Sequence, residues 1–273
     1  MFGKLLETLR NKSPLIHNIT NYVTANDCAN ILIACGASPI MADEKEEAEE
    51  ITSICSGLNI NLGTIKSHTV PSMLIAGKRS NELNHPVILD PVGVGASKFR
   101  TDTANTLLSK LKFTVIRGNL SEIKTLALGR IGSNGVDANR KDEITKENLE
   151  ETVAFAKGFA KITGSVIAIT GGIDVIADEE KAYCIYNGNP MMCAVTGTGC
   201  QLSALITAFV SANPLYPLES AAAAVCAMGI AGEIAYKRLT SIDGNLSYRN
   251  YIIDAIYNMT PQTLKEGAKY EVR

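Results

Sequence analysis

Short continuous apolar runs alternate along this chain with longer segments in which apolar residues recur every three or four positions. Pro86-Val87-Ile88-Leu89-Asp90, Phe113-Thr114-Val115-Ile116 and Val166-Ile167-Ala168-Ile169 are runs of the first kind. Each reaches a polar tip (Asp90, then Arg117-Gly118-Asn119, then Thr170-Gly171-Gly172), and loop or helical sequence follows. Unbroken β-branched runs separated by helices predict parallel strands buried on both faces and joined by crossovers. Further strands are expected at 38–42 and 58–62, and a hairpin at 174–177 and 182–186. Helices are expected at about 3–11 and through Val23, Asn30, Ile31 and Ala34 to a left-handed cap at Gly36. Another is expected at 43–55, with acids in its first turn where the helix dipole favours them. The last are expected at 202–210, at 217–239 with Pro217 in the first turn, and at 248–260. The polar stretch 129–145 reads as a loop. The expected fold class is α/β, a mostly parallel central sheet flanked by helices, in one domain over 1–273.

In such sheets ligands collect beyond the carboxyl ends of the strands, where this pattern puts Asp90, Arg117, Asn119, Glu122 and Thr170. The stretch Val195-Thr196-Gly197-Thr198-Gly199-Cys200 adds a second feature. Two glycines among threonines read as a tight turn, and the apolar run after it as a buried helix. A turn that opens a helix leaves backbone N–H groups unpaired and pointing one way, an arrangement that binds phosphate. Cys200 falls in that first turn, where the same field is expected to lower its pKa. Each piece also has an ordinary reading: a structural turn with an inert cysteine, a strand-end cap at Asp90, a first-turn acid at Glu122, a surface ion pair at Arg117. Together they supply what phosphoryl transfer needs: an anion-binding helix start, a cation, and two carboxylates suited to Mg²⁺.

Composition narrows the remaining classes. Among 273 residues the formal charge is −2, aromatic residues make up 5%, and there is no Trp. No basic cluster suggests a nucleic-acid surface. Charge appears too early at the N-terminus for a signal peptide, and the longest apolar stretches read as buried helices. Seven cysteines without a Cys-x-x-Cys favour reduced thiols and a cytoplasmic protein over disulfides or a zinc site. Three scattered histidines make a His-based metal cluster a poor expectation.

The motifs also resemble a known family. Asp90-Pro91-Val92-Gly93-Val94-Gly95, Arg117-Gly118-Asn119 with Glu122, Thr170-Gly171 and Thr196-Gly197-Thr198-Gly199-Cys200 are similar to those of hydroxyethylthiazole kinases, which are ribokinase-like enzymes. His17-Asn18-Ile19-Thr20-Asn21-Tyr22-Val23 and Gly36-Ala37-Ser38-Pro39-Ile40-Met41-Ala42 fit as well, so the resemblance covers nearly the whole chain. It implies ATP-dependent phosphorylation of 4-methyl-5-(2-hydroxyethyl)thiazole in thiamine salvage, by a homotrimer with active sites between subunits. It further implies that Met41 and Gly197 contact the thiazole, that Arg117 and Thr170 contact ATP, and that Asp90 and Glu122 serve Mg²⁺. Gly197, Thr198 and Gly199 would offer N–H groups to the γ-phosphate. Cys200 would accept the alcohol proton or position the hydroxyl. Most ribokinase-like enzymes carry Asp where this chain has Cys200, a departure that thiazole kinases share, and many relatives have Cys where this chain has Asn18. Three alternatives remain at this level. A hydroxymethylpyrimidine kinase is expected to carry Asp at 200. A cysteine-nucleophile enzyme would need His17 or His68 as base. A non-catalytic nucleotide sensor would keep the binding residues alone.

Overall fold

The computed structural model describes residues 1–131 and 143–273, with the backbone alone at 130 and 131. In chain order the elements are α1 (Phe2–Lys12), β1 (Leu15–Ile19), α2 (Ala25–Cys35), β2 (Ser38–Met41), α3 (Ala48–Ile54), β3 (Gly57–Asn61), α4 (Thr69–Glu82), β4 (Val87–Asp90), α5 (Lys98–Lys110), β5 (Val115–Asn119) and α6 (Leu120–Ile131). After them come α7 (Leu149–Thr163), β6 (Val166–Thr170), β7 (Asp174–Ala177), β8 (Ala182–Ile185), a 3₁₀ turn (Pro190–Ala194), α8 (Thr198–Ala212), α9 (Pro217–Arg238), α10 (Asn245–Asn258), α11 (Pro261–Gly267) and β9 (Tyr270–Val272).

One nine-stranded sheet runs in the order β2-β1-β3-β4-β5-β6-β7-β8-β9. The first six strands in that order are parallel, and β7, β8 and β9 continue it antiparallel. Successive strand residues face opposite ways, so each strand feeds two cores. Ile88, Val115, Val166, Ala168 and Ile176 pack with residues of α1, α2, α8 and α9 on one face. Val87, Leu89, Ile116, Ile167 and Ile169 pack with α4, α5, α6 and α7 on the other. Helix layers on both faces explain why the apolar runs show no alternation with polar residues. Helix α9 is long and apolar enough to cross a membrane, but 83% of its apolar window is buried inside the fold.

Several boundaries differ from expectation. The acidic helix starts at Ala48, not at 43, because 43–47 has no apolar face to bury; in α3 only Ala48 and Thr52 are buried. Val23 is exposed in the turn before α2. Gly36 caps α2 at φ 99°, as read from the sequence. Strand β5 continues through Arg117 to Asn119, and α6 occupies 120–131. The rest of the loop expected at 129–145 lies at 143–145 or outside the described residues.

Candidate active site

The carboxyl ends of β3, β4, β5 and β6 meet the amino end of α8. Asp90, the last residue of β4, is fully buried. Its Oδ2 accepts from Asn61 Nδ2 at 2.8 Å and from Ser203 Oγ at 2.8 Å. Burial raises its pKa, the Arg117 guanidinium opposes that, Glu122 adds to it, and the bonds from Ser203 and Asn61 oppose it. Arg117 Nη1 lies 3.5 Å from both Asp90 oxygens, and Nη2 donates to Thr170 Oγ1 at 2.7 Å. Arg117 therefore pairs inside the site and not with a surface acid.

The glycine turn fits against this group. Gly197 caps α8 at φ 85°, in the left-handed region, and a Cβ there would fall 2.3 Å from Thr24 Cγ2. At Gly199 a Cβ would fall 2.5 and 2.6 Å from Arg117 Nη1 and Nη2, so glycine admits the guanidinium beneath the helix start. The helical ladder opens with Gln201 N–H bonding Gly197 O. The amides of Thr198, Gly199 and Cys200 precede it and have no acceptor within the helix.

Glu122 plays the ordinary role and keeps capacity for another. Asn119 Oδ1 accepts from Glu122 N–H at 2.8 Å, and Glu122 Oε2 accepts from Asn119 N–H at 2.9 Å, a capping box across the β5–α6 junction. Oε1 accepts from Gly93 N–H at 2.8 Å and so ties down the loop after β4. Among the described residues no three His, Cys, Asp or Glu side chains converge as a metal cage. Each Glu122 oxygen still has a lone pair, and among the described residues Asp90 Oδ1 has no donor nearer than Arg117. Such a sparse hard-oxygen set suits Mg²⁺ held largely through its own water shell.

Cys200 corrects one expectation. The helix start was expected to lower its pKa; instead burial raises it, and the charge on Asp90 adds to the rise. Hydrogen bonds from Thr24, Asn61 and Asn21 pull the other way. Asn21 Nδ2 donates to Sγ at 3.3 Å. His17 is no base for this thiol: its ring nitrogens lie 2.9 Å from Thr52 Oγ1 and 2.8 Å from the Ala42 carbonyl oxygen.

A cavity of about 190 Å³ is lined among others by Asn18, Tyr22, Met41, Ile65, Met73 and Asn61, which is linked through Asn21 to Cys200. Met41 stands at the end of edge strand β2 and is 40% exposed at this cavity. The structure thus brings Asp90, Arg117, Thr170, Gly197, Thr198, Gly199 and Cys200 to one place, with Glu122 at its margin and Met41 across the cavity. Sequence reasoning gave no role to Asn21, Asn61 or Ser203. The one signal was asparagine at 59 and 61, which interrupts an otherwise apolar strand.

Comparison with known proteins gives the family. The sequence model of the Hydroxyethylthiazole kinase family matches residues 6–262. A hydroxyethylthiazole kinase of Clostridium acetobutylicum is 62% identical over 271 residues, covering 99% of each chain. One from Clostridium tetani is 47% identical, covering 98% of this chain and 96% of the other. The solved hydroxyethylthiazole kinase protein from Pyrococcus horikoshii OT3 superposes with a TM-score of 0.88 at 35% identity, covering 100% of this chain and 98% of that one. A Staphylococcus aureus pyridoxal kinase in complex with ADP, 14% identical at a TM-score of 0.60, shares the ribokinase-like fold. With these full-length matches, this chain belongs to the hydroxyethylthiazole kinase family.

Proposed function

We propose that this chain transfers the γ-phosphoryl group of ATP to the hydroxyl of 4-methyl-5-(2-hydroxyethyl)thiazole, within thiamine salvage. The observation that carries this reading is the cavity linked to the amino end of α8 through Asn61, Asn21 and Cys200. The thiazole occupies the cavity against Met41 and Gly197, with its hydroxyl at Cys200. The amides of Gly197, Thr198 and Gly199 receive the γ-phosphate, and Arg117 with Thr170 holds the nucleotide. Asp90 and Glu122 would hold Mg²⁺, which neutralises phosphate charge when bound. A thiol with a raised pKa is protonated at neutral pH, so Cys200 acts as a hydroxyl positioner whose sulfur accepts a hydrogen bond. The alcohol oxygen bonds to phosphorus as the bond to the β-phosphate oxygen breaks. ADP departs with that electron pair, and the hydroxyl proton passes late to an oxygen of the transferred group. A loose transition state asks for little proton removal early.

We take residues 1–273 as one kinase domain, a reading supported by the single sheet. Tyr22 and Met41 line the cavity and are exposed, which supports a homotrimer in which a neighbouring copy completes the site. Seven free cysteines support a cytoplasmic protein. An ADP-release assay tests the function: turnover is expected with the thiazole alcohol and little with the corresponding pyrimidine alcohol. Preference for the pyrimidine, or nucleotide binding without turnover of either alcohol, would overturn the reading.

A further inference from the structure

The donors around Cys200 are oriented by bonds that leave them no choice. Asn21 Oδ1 accepts from the backbone N–H of Thr24 at 3.0 Å. A backbone N–H can only donate, so this bond decides which end of the Asn21 amide is oxygen. Its Nδ2 must then face Asn61 Oδ1 at 2.9 Å and Cys200 Sγ at 3.3 Å. Asn61 is fixed in the same way. Its Oδ1 accepts from Gly63 N–H at 2.8 Å, and its Nδ2 donates to Asp90 Oδ2 at 2.8 Å. A Cβ at Gly63 would fall 2.7 Å from Asn21 Nδ2, so glycine at 63 makes room for this amide. Asn21 and Asn61 are both buried. A buried amide that gives one of its two protons to a thiol has chosen a weak acceptor. For stability alone a hydroxyl or carbonyl would serve better, and such local departures gather at functional sites.

We infer that Asn21 is a positioning residue for the phosphoryl transfer, holding the Cys200 sulfur in place as a hydrogen-bond acceptor through an amide locked by Thr24, Asn61 and Asp90. The chain Cys200–Asn21–Asn61–Asp90 then joins the alcohol side of the site to the phosphate side. The inference rests on the reading of Cys200 as the group beside the substrate hydroxyl.

A double-mutant cycle on the full-length enzyme tests it. Asn21→Asp keeps the shape and the acceptor for Thr24 but turns the donor toward sulfur into an acceptor; Asn21→Ala removes both. Each is expected to lower kcat on the order of 10- to 100-fold, the cost of a misplaced reacting group, while KM for the thiazole alcohol changes less than about threefold. In a Cys200→Ala background, Asn21→Ala should cost nothing further, because the two residues act as one unit. Calorimetric binding of ADP to each variant checks that the nucleotide side is intact. If Asn21→Ala or Asn21→Asp does not fold, Asn21→Ser is read in its place. Full multiplicative loss in the double variant, or wild-type kcat in the Asn21 variants, would overturn the inference and leave the role of Cys200 standing. Wild-type kcat in Cys200→Ala alone would instead remove Cys200 from the reaction, and the inference with it.

Discussion

At the scale of single residues, the site is shaped by what glycine and buried acids permit. Gly199 exists where a guanidinium must lie against the backbone, so Gly199→Ala is expected to drive Arg117 off Asp90 and Thr170. The apparent KM for ATP should then rise at least tenfold, with a smaller effect on the thiazole KM; steady-state kinetics on both substrates reads this. Asp174 gives a pH-dependent counterpart. The residue keeps some exposed surface, but its carboxyl is packed in, and burial pushes its pKa up to about 7, against the bond from Gly171 N–H and the charge of Arg117. A raised carboxyl pKa means the folded state holds the proton more tightly than the unfolded chain. Asp174 therefore costs nothing below the ordinary pKa near 3.8, and stability drains away as pH rises from there through about 7. Asp174→Asn keeps the acceptor for Gly171 without the charge. It should raise Tm by a few degrees at pH 8, with the gain vanishing toward pH 4, as thermal melts across that range will report. Neither contact was legible from the sequence, where Asp174 read as a strand residue and Gly199 as part of a turn offering its N–H to phosphate. The first depends on burial of a strand-end carboxyl, and the second on Arg117 reaching 53 and 82 positions along the chain, to Thr170 and to Gly199.

At the scale of elements, the junction between β5 and α6 does two jobs with one carboxylate. Glu122 closes the capping box with Asn119 and also holds the Gly93 amide. Glu122→Gln keeps one acceptor oxygen and is expected to cost about 1 kcal/mol of stability, a typical cap contribution. It should lower turnover much more severely, by on the order of 10²-fold, with a requirement for higher Mg²⁺. Asp90→Asn should show the same Mg²⁺ response. Wild-type turnover in both variants would leave Glu122 a cap and nothing more. This junction was legible: Asn-x-x-Glu after an apolar run is a helix-start pattern carried by neighbouring residues. The strands β4, β5 and β6 and the hairpin β7–β8 were legible for a similar reason, since burial on both faces writes itself as continuous apolar sequence. Helix α4 was not, because Pro71 and its mixed polar residues give it a weak apolar face. Strand β9 was not, because all three of its residues are exposed.

At the scale of the whole molecule, the cavity is bordered by Tyr22, which is 73% exposed, and by Met41. If a neighbouring copy covers this edge, dilution should lower specific activity as the oligomer dissociates, and saturating ADP with thiazole alcohol should oppose the loss. Sedimentation at matched concentrations checks this, and a fully active monomer would refute the interface site. Assembly of this kind left no trace in periodicity; the family resemblance alone implied it. The chemistry at the strand ends was more readable, because parallel sheets converge their polar tips by topology. The asparagine chain was hidden, because its members become neighbours only when distant strands align.

The bond from Asn21 to Cys200 spans 179 residues, and Arg10 reaches the carbonyl of Ile256 across 246. A ribosome adding about 5–20 residues per second needs roughly 10 to 35 seconds between these two halves of the active site. During that interval β1 and β3 are present while α8, which covers one of their faces, is still unmade. The nascent chain thus carries a bare apolar surface and no catalytic power until its last third emerges. Chaperone capture is expected to fall within that window, and ribosome profiling of chaperone-bound nascent chains should show release only after α8 and α9 have been translated.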